Sequence, residues 1–114
     1  MQSSQAVRAL GALAQEHRLA VFRLLVQAGP DGMAAGAIAE ALAMPASSLS
    51  FHLAQLTNVG LLAQHRQGRS IVYAADFAAM NALMGFLTEN CCGGIPCAVD
   101  AGCNLPETQQ RTVA

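Results

Sequence analysis

The chain has few charged side chains and no apolar run long enough to cross a membrane. Only 11% of its 114 residues are charged, whereas 54% are hydrophobic, and this balance excludes a largely disordered protein. No window holds the roughly 18 consecutive apolar residues of a membrane span. Residues 1–4 (MQSS) do not start a basic segment that leads into a hydrophobic run. We therefore expect one globular domain in the cytoplasm, without membrane association.

Cysteine is absent from most of the chain, since all four cysteines lie in its last quarter. The cytosol keeps thiols reduced, so we expect ligands or redox groups before disulfides. A chain this short buries only a modest core. Its Ala-rich and Leu-rich segments leave more apolar surface than a monomer hides well, which favours a homodimer.

Acidic residues are missing from one continuous segment of the sequence. Residues 41–75 contain none, whereas His52, His65, Arg66 and Arg69 all lie there. The formal net charge of −1 argues against a nucleic-acid partner, because affinity for phosphate comes from Lys and Arg. The uneven distribution of charged residues nevertheless favours a nucleic-acid partner. The alternative is that these residues cluster by chance in a sparsely charged chain.

The spacing of apolar residues predicts four helices in the first half of the chain. They cover residues 4–14, 16–28, 34–42 and 45–59, with turn residues after the second and Gly60 after the fourth. The last two are joined by a short connection at Pro45, which is typical of a helix-turn-helix.

The fourth predicted helix has one apolar face and one polar, uncharged face. Leu49, Leu53 and Leu56 share the apolar face. Hydroxyl and amide side chains such as those on the other face hydrogen-bond to base edges and phosphates. The polar face comprises Ser47, Ser48, Phe51, Gln55 and Asn58, with His52 at its boundary.

After Gly60 the pattern changes to two short strands, 62–66 and 70–74, around a turn at 67–69. Arg66 and Arg69 flank the tip of this hairpin, which suits it to the phosphate backbone or the minor groove. Asp76 then predicts the N-cap of a last helix that runs to Gly93-Gly94. Its apolar side chains are expected to pack on a partner helix, on the subunit's own core, or on both; they are Phe77, Met80, Met84 and Leu87.

Three stretches in this order resemble the ArsR/SmtB family of metal-responsive repressors: EHRLAVFRLL at 16–25, SSLSFHL at 47–53 with VGLL at 59–62, and RQGRSIVY at 66–73. The resemblance implies a mainly α, winged helix-turn-helix fold with about five helices and a two-stranded wing hairpin. It implies a homodimer built from the first and last helices, bound to double-stranded operator DNA. We expect residues 1–92 to form this domain and residues 93–114 to form a partly disordered tail.

The resemblance also places the DNA-binding positions. Each recognition helix is expected in a major groove with the wing beside it. His52 has an alternative role, because a histidine beside a leucine stripe is often a packed or capping residue. The positions implied are Ser47, Ser48, Ser50, Phe51, His52 and Gln55 on the helix, and Arg66 and Arg69 on the wing.

The resemblance suggests two kinds of sensor site, a Cys-x-Cys arsenic site at the start of the third helix and a zinc site of histidine and acidic residues on the last helix. Both are absent from this chain, because residues 31–44 contain no cysteine and no histidine follows His65. What remains is a sulfur-only set near the C-terminus, and soft thiolates favour thiophilic centres over magnesium, calcium or manganese. The vicinal pair resembles C-terminal arsenic sites of the family, so we expect As(III) as effector and no organic cofactor. The expected ligands are Cys91, Cys92 and Cys97, with Cys103 as a further or alternative third ligand.

Several alternatives use the same cysteines. Sb(III) or methylarsenite could replace arsenite, four thiolates could hold Zn or Cd in a tetrahedron, the thiols could act as a redox switch, or they could do nothing. Adjacent helical side chains diverge by about 100°, so we expect the helix to fray at the vicinal pair. Arsenic binding would then unwind the helix end and change the spacing of the DNA-reading heads. Two other classes of protein are possible beside a repressor. An enzyme is disfavoured because neither a Cys-x-x-Cys before a helix nor a phosphate-binding loop is present. A metal-storage protein is the other class.

Overall fold

The structure is a computed structural model, and it describes residues 1–90 and Gly93. Within these residues the chain forms five helices and three strands. No helix in this part of the chain is long and apolar enough to span a membrane. The elements in order are α1 (Ser3–Leu13), α2 (Glu16–Ala28), β1 (Met33–Ala34), α3 (Ala35–Leu42), α4 (Ala46–Asn58), β2 (Leu62–Gln67), β3 (Ser70–Ala75) and α5 (Phe77–Leu87).

The corner between α1 and α2 is fixed by two hydrogen bonds. The Gln15 side-chain oxygen accepts from the backbone N–H of Arg18 at 2.9 Å, which caps the start of α2. The Arg18 Nε donates to the carbonyl of Ala12 at 2.7 Å, at the end of α1. The buried face of α1 consists of alanines, whose small side chains let the helix lie close to its neighbours; they are Ala6, Ala9 and Ala12.

The core lies among α2, α3 and α4. The leucine stripe predicted for the fourth helix is buried, since Leu49, Leu53 and Leu56 are at most 2% exposed. Ile38 from α3 and Leu25 from α2 are fully buried against it. The core thus holds the two helices of the helix-turn-helix at a fixed angle to α2.

The three strands form an antiparallel sheet in the order β1-β3-β2. The predicted hairpin is confirmed: Gln67 pairs with Ser70, and Gly68 takes a left-handed φ of 63° in the tight turn between them. The added strand, β1, was not predicted. Its two residues are too few to show an alternating pattern, and it exists because Met33 pairs with Tyr73.

The last helix starts where the sequence predicts and ends earlier. The Asp76 carboxylate accepts from the N–H of Ala79 at 3.0 Å, which confirms the N-cap. The predicted end at Gly93-Gly94 is wrong, because α5 ends at Leu87. The Thr88 hydroxyl donates back to the Met84 carbonyl at 3.0 Å just after this end, and Asn90 takes a left-handed φ of 57° two residues further on.

The four cysteines proposed as ligands, Cys91, Cys92, Cys97 and Cys103, lie outside the described residues, as does the predicted tail except for Gly93.

Candidate nucleic-acid interface

The helices α3 and α4 meet in a tight connection. Ala43 ends α3 in a left-handed conformation with φ 52°, and its N–H lies within reach of the Ala39 and Glu40 carbonyls. Pro45 is the extended N-cap of α4. A connection this short forces a sharp angle between the two helices, so the face of α4 opposite its leucines points away from the core.

That outward face contains the predicted recognition positions. Ser47, Ser48, Ser50 and Phe51 are exposed, and Phe51 retains 57% of its accessible surface. An aromatic ring this exposed next to three hydroxyls can contact a thymine methyl group while the hydroxyls bond to bases or phosphates. Gln55 is half-buried one turn further along the same helix.

The wing presents both predicted arginines to solvent. Arg66 lies near the end of β2, paired in register with Ile71, and Arg69 lies in the turn. Residues 41–75, which include α4 and the wing, contain no carboxylate side chain. This segment therefore offers guanidinium groups and no carboxylate to the phosphates of a duplex.

His52 differs from the other predicted positions because its ring is half-buried. It stacks on His17 with centroids 5.6 Å apart and planes 15° from parallel, and Phe51 packs edge-on at 5.9 Å. Its Nδ1 is buried and has no hydrogen-bond partner among the described residues. Burial, followed by the nearby Arg18 and His17, holds the pKa of His52 below its ordinary value of 6.5.

No pattern in the sequence indicates the contact between His17 and His52. The two residues lie on different helices, and no periodicity relates positions so far apart in the chain. The packing of α2 across α4 brings the two rings together.

A helix-turn-helix followed by a hairpin with a basic tip is the arrangement of a winged-helix DNA-binding protein. Among the described residues no three His, Cys, Asp or Glu side chains are grouped so that they could hold a metal ion.

Comparisons with known proteins agree with this class. A family model described as a helix-turn-helix domain matches residues 13–65. The HTH-type transcriptional regulator YgaV of Escherichia coli (strain K12) is 30% identical over 90 residues, which are 79% of this chain and 89% of that protein.

Similar solved structures are regulators as well. An ArsR-like transcriptional regulator from Rhodococcus sp. RHA1 has a TM-score of 0.66 at 26% identity, covering 74% of this chain and 76% of that one. HlyU from Vibrio cholerae has a TM-score of 0.63 at 28% identity, covering 79% and 95%. A homodimeric winged helix-turn-helix DNA-binding domain from Mycobacterium bovis has a TM-score of 0.60 at 31% identity. The match covers 76% of this chain and 81% of that one.

The chain belongs to the ArsR family of winged helix-turn-helix transcriptional regulators. It is a DNA-binding regulator and not an enzyme.

Proposed function

We propose that this regulator is a homodimeric repressor that binds a two-fold operator and releases it when its C-terminal cysteines bind As(III). The proposed DNA binding depends on the solvent-facing surface of α4, which presents hydroxyl, amide and aromatic side chains, and on the exposed arginines of the wing. Two such surfaces related by a two-fold axis would read two half-sites of an operator.

Exposed apolar side chains on the first and last helices support the proposed dimer. Val7 on α1 is 68% exposed, and Met84 and Leu87 on α5 are 51% and 57% exposed. Helices α1 and α5 contact each other, so these side chains can belong to one surface. An apolar cavity of about 420 Å³ is lined by residues of α2 and α5 together with Leu13 and Leu61. A second copy of the chain covers such a surface with matching apolar side chains.

The effector is proposed from the chemistry of the cysteines. Four cysteines within residues 91–103, with no histidine in this part of the sequence, suit a soft, three-coordinate centre. Each thiol would replace one hydroxide of arsenous acid, so that a sulfur–arsenic bond forms, water leaves and arsenic stays trivalent. The ligands are Cys91, Cys92 and either Cys97 or Cys103.

The position of the cysteines in the chain supports a link to the subunit contact. Only Thr88, Glu89 and Asn90 separate the end of α5 from Cys91. Because α5 already ends at Leu87, ligand binding need not unwind the helix as the sequence pattern suggested. We propose that the filled site moves residues 88–90 against Leu87 and so changes how two α5 helices pack.

Fluorescence anisotropy with a labelled duplex from upstream of the protein's own coding sequence tests both halves. We expect sub-micromolar binding, and release by arsenite with a coupling of about 5- to 150-fold. Separate titrations with antimonite, methylarsenite, cadmium and zinc identify the effector, and hydrogen peroxide tests a redox switch.

Cysteine variants locate the site. Cys92→Ser should bind the duplex as the wild type does and keep it in the presence of arsenite. Cys97→Ser and Cys103→Ser should differ, and the variant that loses the response contains the missing third ligand. Release of the Cys92→Ser protein by arsenite, or a wild type indifferent to every trivalent arsenical, would overturn the proposed effector while leaving DNA binding in place.

A further inference from the structure

The side chain of Gln15 makes two different contacts at the start of α2. Its oxygen accepts from the backbone N–H of Arg18 at 2.9 Å, and its nitrogen lies 3.1 Å from the Nδ1 of His17. The cap uses the oxygen, so the amide can only present an N–H to the histidine. The Nδ1 of His17 therefore accepts this hydrogen bond, and the ring carries its proton on Nε2.

The ring held in this way lies against the recognition helix. His17 stacks on His52 of α4 with centroids 5.6 Å apart and planes 15° from parallel. The contact is an aromatic stack, and no group of three possible metal ligands includes these rings in the described part of the chain.

His52 has little else to fix its ring. Its Nδ1 is buried without a hydrogen-bond partner in the described part of the chain, so no bond at that atom orients it. Phe51, the preceding residue of α4, packs edge-on against the same ring with centroids 5.9 Å apart. The ring of His52 consequently contacts both a ring anchored on α2 and the exposed aromatic side chain of the DNA-facing surface.

We propose that His17, outside the helix-turn-helix, is a positioning residue for DNA recognition: its ring stacks on His52 and sets where Phe51 and the outer face of α4 lie. This inference rests on the DNA-binding role of α4. The corner that carries His17 is itself fixed, because Arg18 Nε bonds to the Ala12 carbonyl of α1. Through this contact the recognition surface is tied to the junction of α1 and α2.

Two substitutions of similar volume separate stacking from simple space filling. His17→Phe keeps a flat ring and loses both nitrogens. His17→Leu fills similar space with an aliphatic side chain and loses the ring. Binding is measured by anisotropy on a duplex enriched by the wild type from a random-sequence pool, and on an unselected duplex. We expect His17→Leu to weaken binding to the enriched duplex about threefold to tenfold. His17→Phe should stay within about twofold of the wild type.

Affinity for the unselected duplex should be equal in all three proteins, because it comes from phosphate contacts that the variants leave intact. An NMR signature accompanies the binding data: loss of the ring current should shift the His52 ring proton signals in His17→Leu and preserve them better in His17→Phe. Melting temperatures of the variants are compared at one protein concentration.

Each other outcome contradicts the inference. Wild-type affinity in His17→Leu would show that the stack does not position α4. Equal weakening in both variants would assign the effect to a nitrogen of His17, through its bond to Gln15 or a direct bond to phosphate, and not to the stacked ring. Parallel loss on both duplexes with a lower melting temperature would reduce His17 to a folding role. A wild type that enriches no sequence would instead overturn the proposed operator binding.

Discussion

The α-carbon of Gly32 lies against the carbonyl of Tyr73, where β1 begins to pair with β3. Gly32 has a φ of 69°, a left-handed conformation that side chains rarely adopt, and a Cβ built there would collide with that carbonyl. The third strand of the sheet therefore depends on the absence of a side chain at this position.

Gly32→Ala is expected to lower the free energy of unfolding by about 2 to 4 kcal/mol, from left-handed strain and overpacking together. Urea denaturation at fixed protein concentration measures this change. The matched control is Gly36→Ala in α3, where a Cβ meets nothing within 4 Å. In that variant the free energy of unfolding should stay unchanged or rise by up to about 1 kcal/mol. Equal stability of the two variants would contradict the close approach to Tyr73.

The stability of the protein should fall as the pH is lowered from about 7.5 to about 5.5, in part because of His52. Burial, then Arg18 and His17, places the folded-state pKa of His52 below 6.5. As the pH falls, the unfolded chain therefore takes up a proton on His52 before the folded chain does. The contribution of His52 to the free energy of unfolding is complete above pH 6.5 and is lost as the pH falls through the folded-state pKa. His52→Gln cannot titrate and should show a shallower slope of the unfolding free energy against pH. An unchanged slope would contradict a depressed pKa.

The wing arginines should contribute to DNA affinity through phosphates. For Arg66→Gln or Arg69→Gln, the slope of log affinity against log salt should become less steep by about two, that is, by about one for each wing of a dimer. The charge-matched control is Arg8→Gln on α1, which should alter the slope less than either wing variant. A slope changed equally by all three would mean that only net charge matters.

The apolar face of α1 and α5 should hold two subunits together. Val7 is 68% exposed in the single chain, so Val7→Glu should not disturb the fold of one subunit. A dimer would bury that carboxylate without a partner, and we expect its dissociation constant to rise at least about tenfold. Sedimentation equilibrium measures this shift. Ala41→Glu, on the exposed side of α3, should leave the dimer intact. A dimer unaffected by Val7→Glu would exclude this face as the subunit contact.

Much of the fold could be predicted because its signals are local in the sequence. Leu49, Leu53 and Leu56 recur at helical spacing, and they are buried. Asp76 is a residue typical of N-caps, and it caps α5. The end of α5 was predicted wrongly because the glycine pair is a strong local signal, whereas the helix already ends at Leu87 and is followed by turn residues with a left-handed Asn90.

The candidate interface could be predicted only in part for the same reason. The exposed serines and the wing arginines follow from helix periodicity and a hairpin turn, each set by neighbours in the chain. The stack of His17 on His52 joins α2 to α4 and leaves no pattern in either segment.

The sequence by itself determined the order of the five helices and the wing hairpin, the leucine face of α4 and the presence of four cysteines near the C-terminus, because spacing and residue chemistry are local properties. Only the tertiary structure decided that β1 joins the sheet, that the ring of His52 is stacked and partly buried, and that Val7, Met84 and Leu87 are left exposed. These outcomes depend on how helices and strands pack against one another, and that packing is fixed by the balance of buried surface over the whole domain.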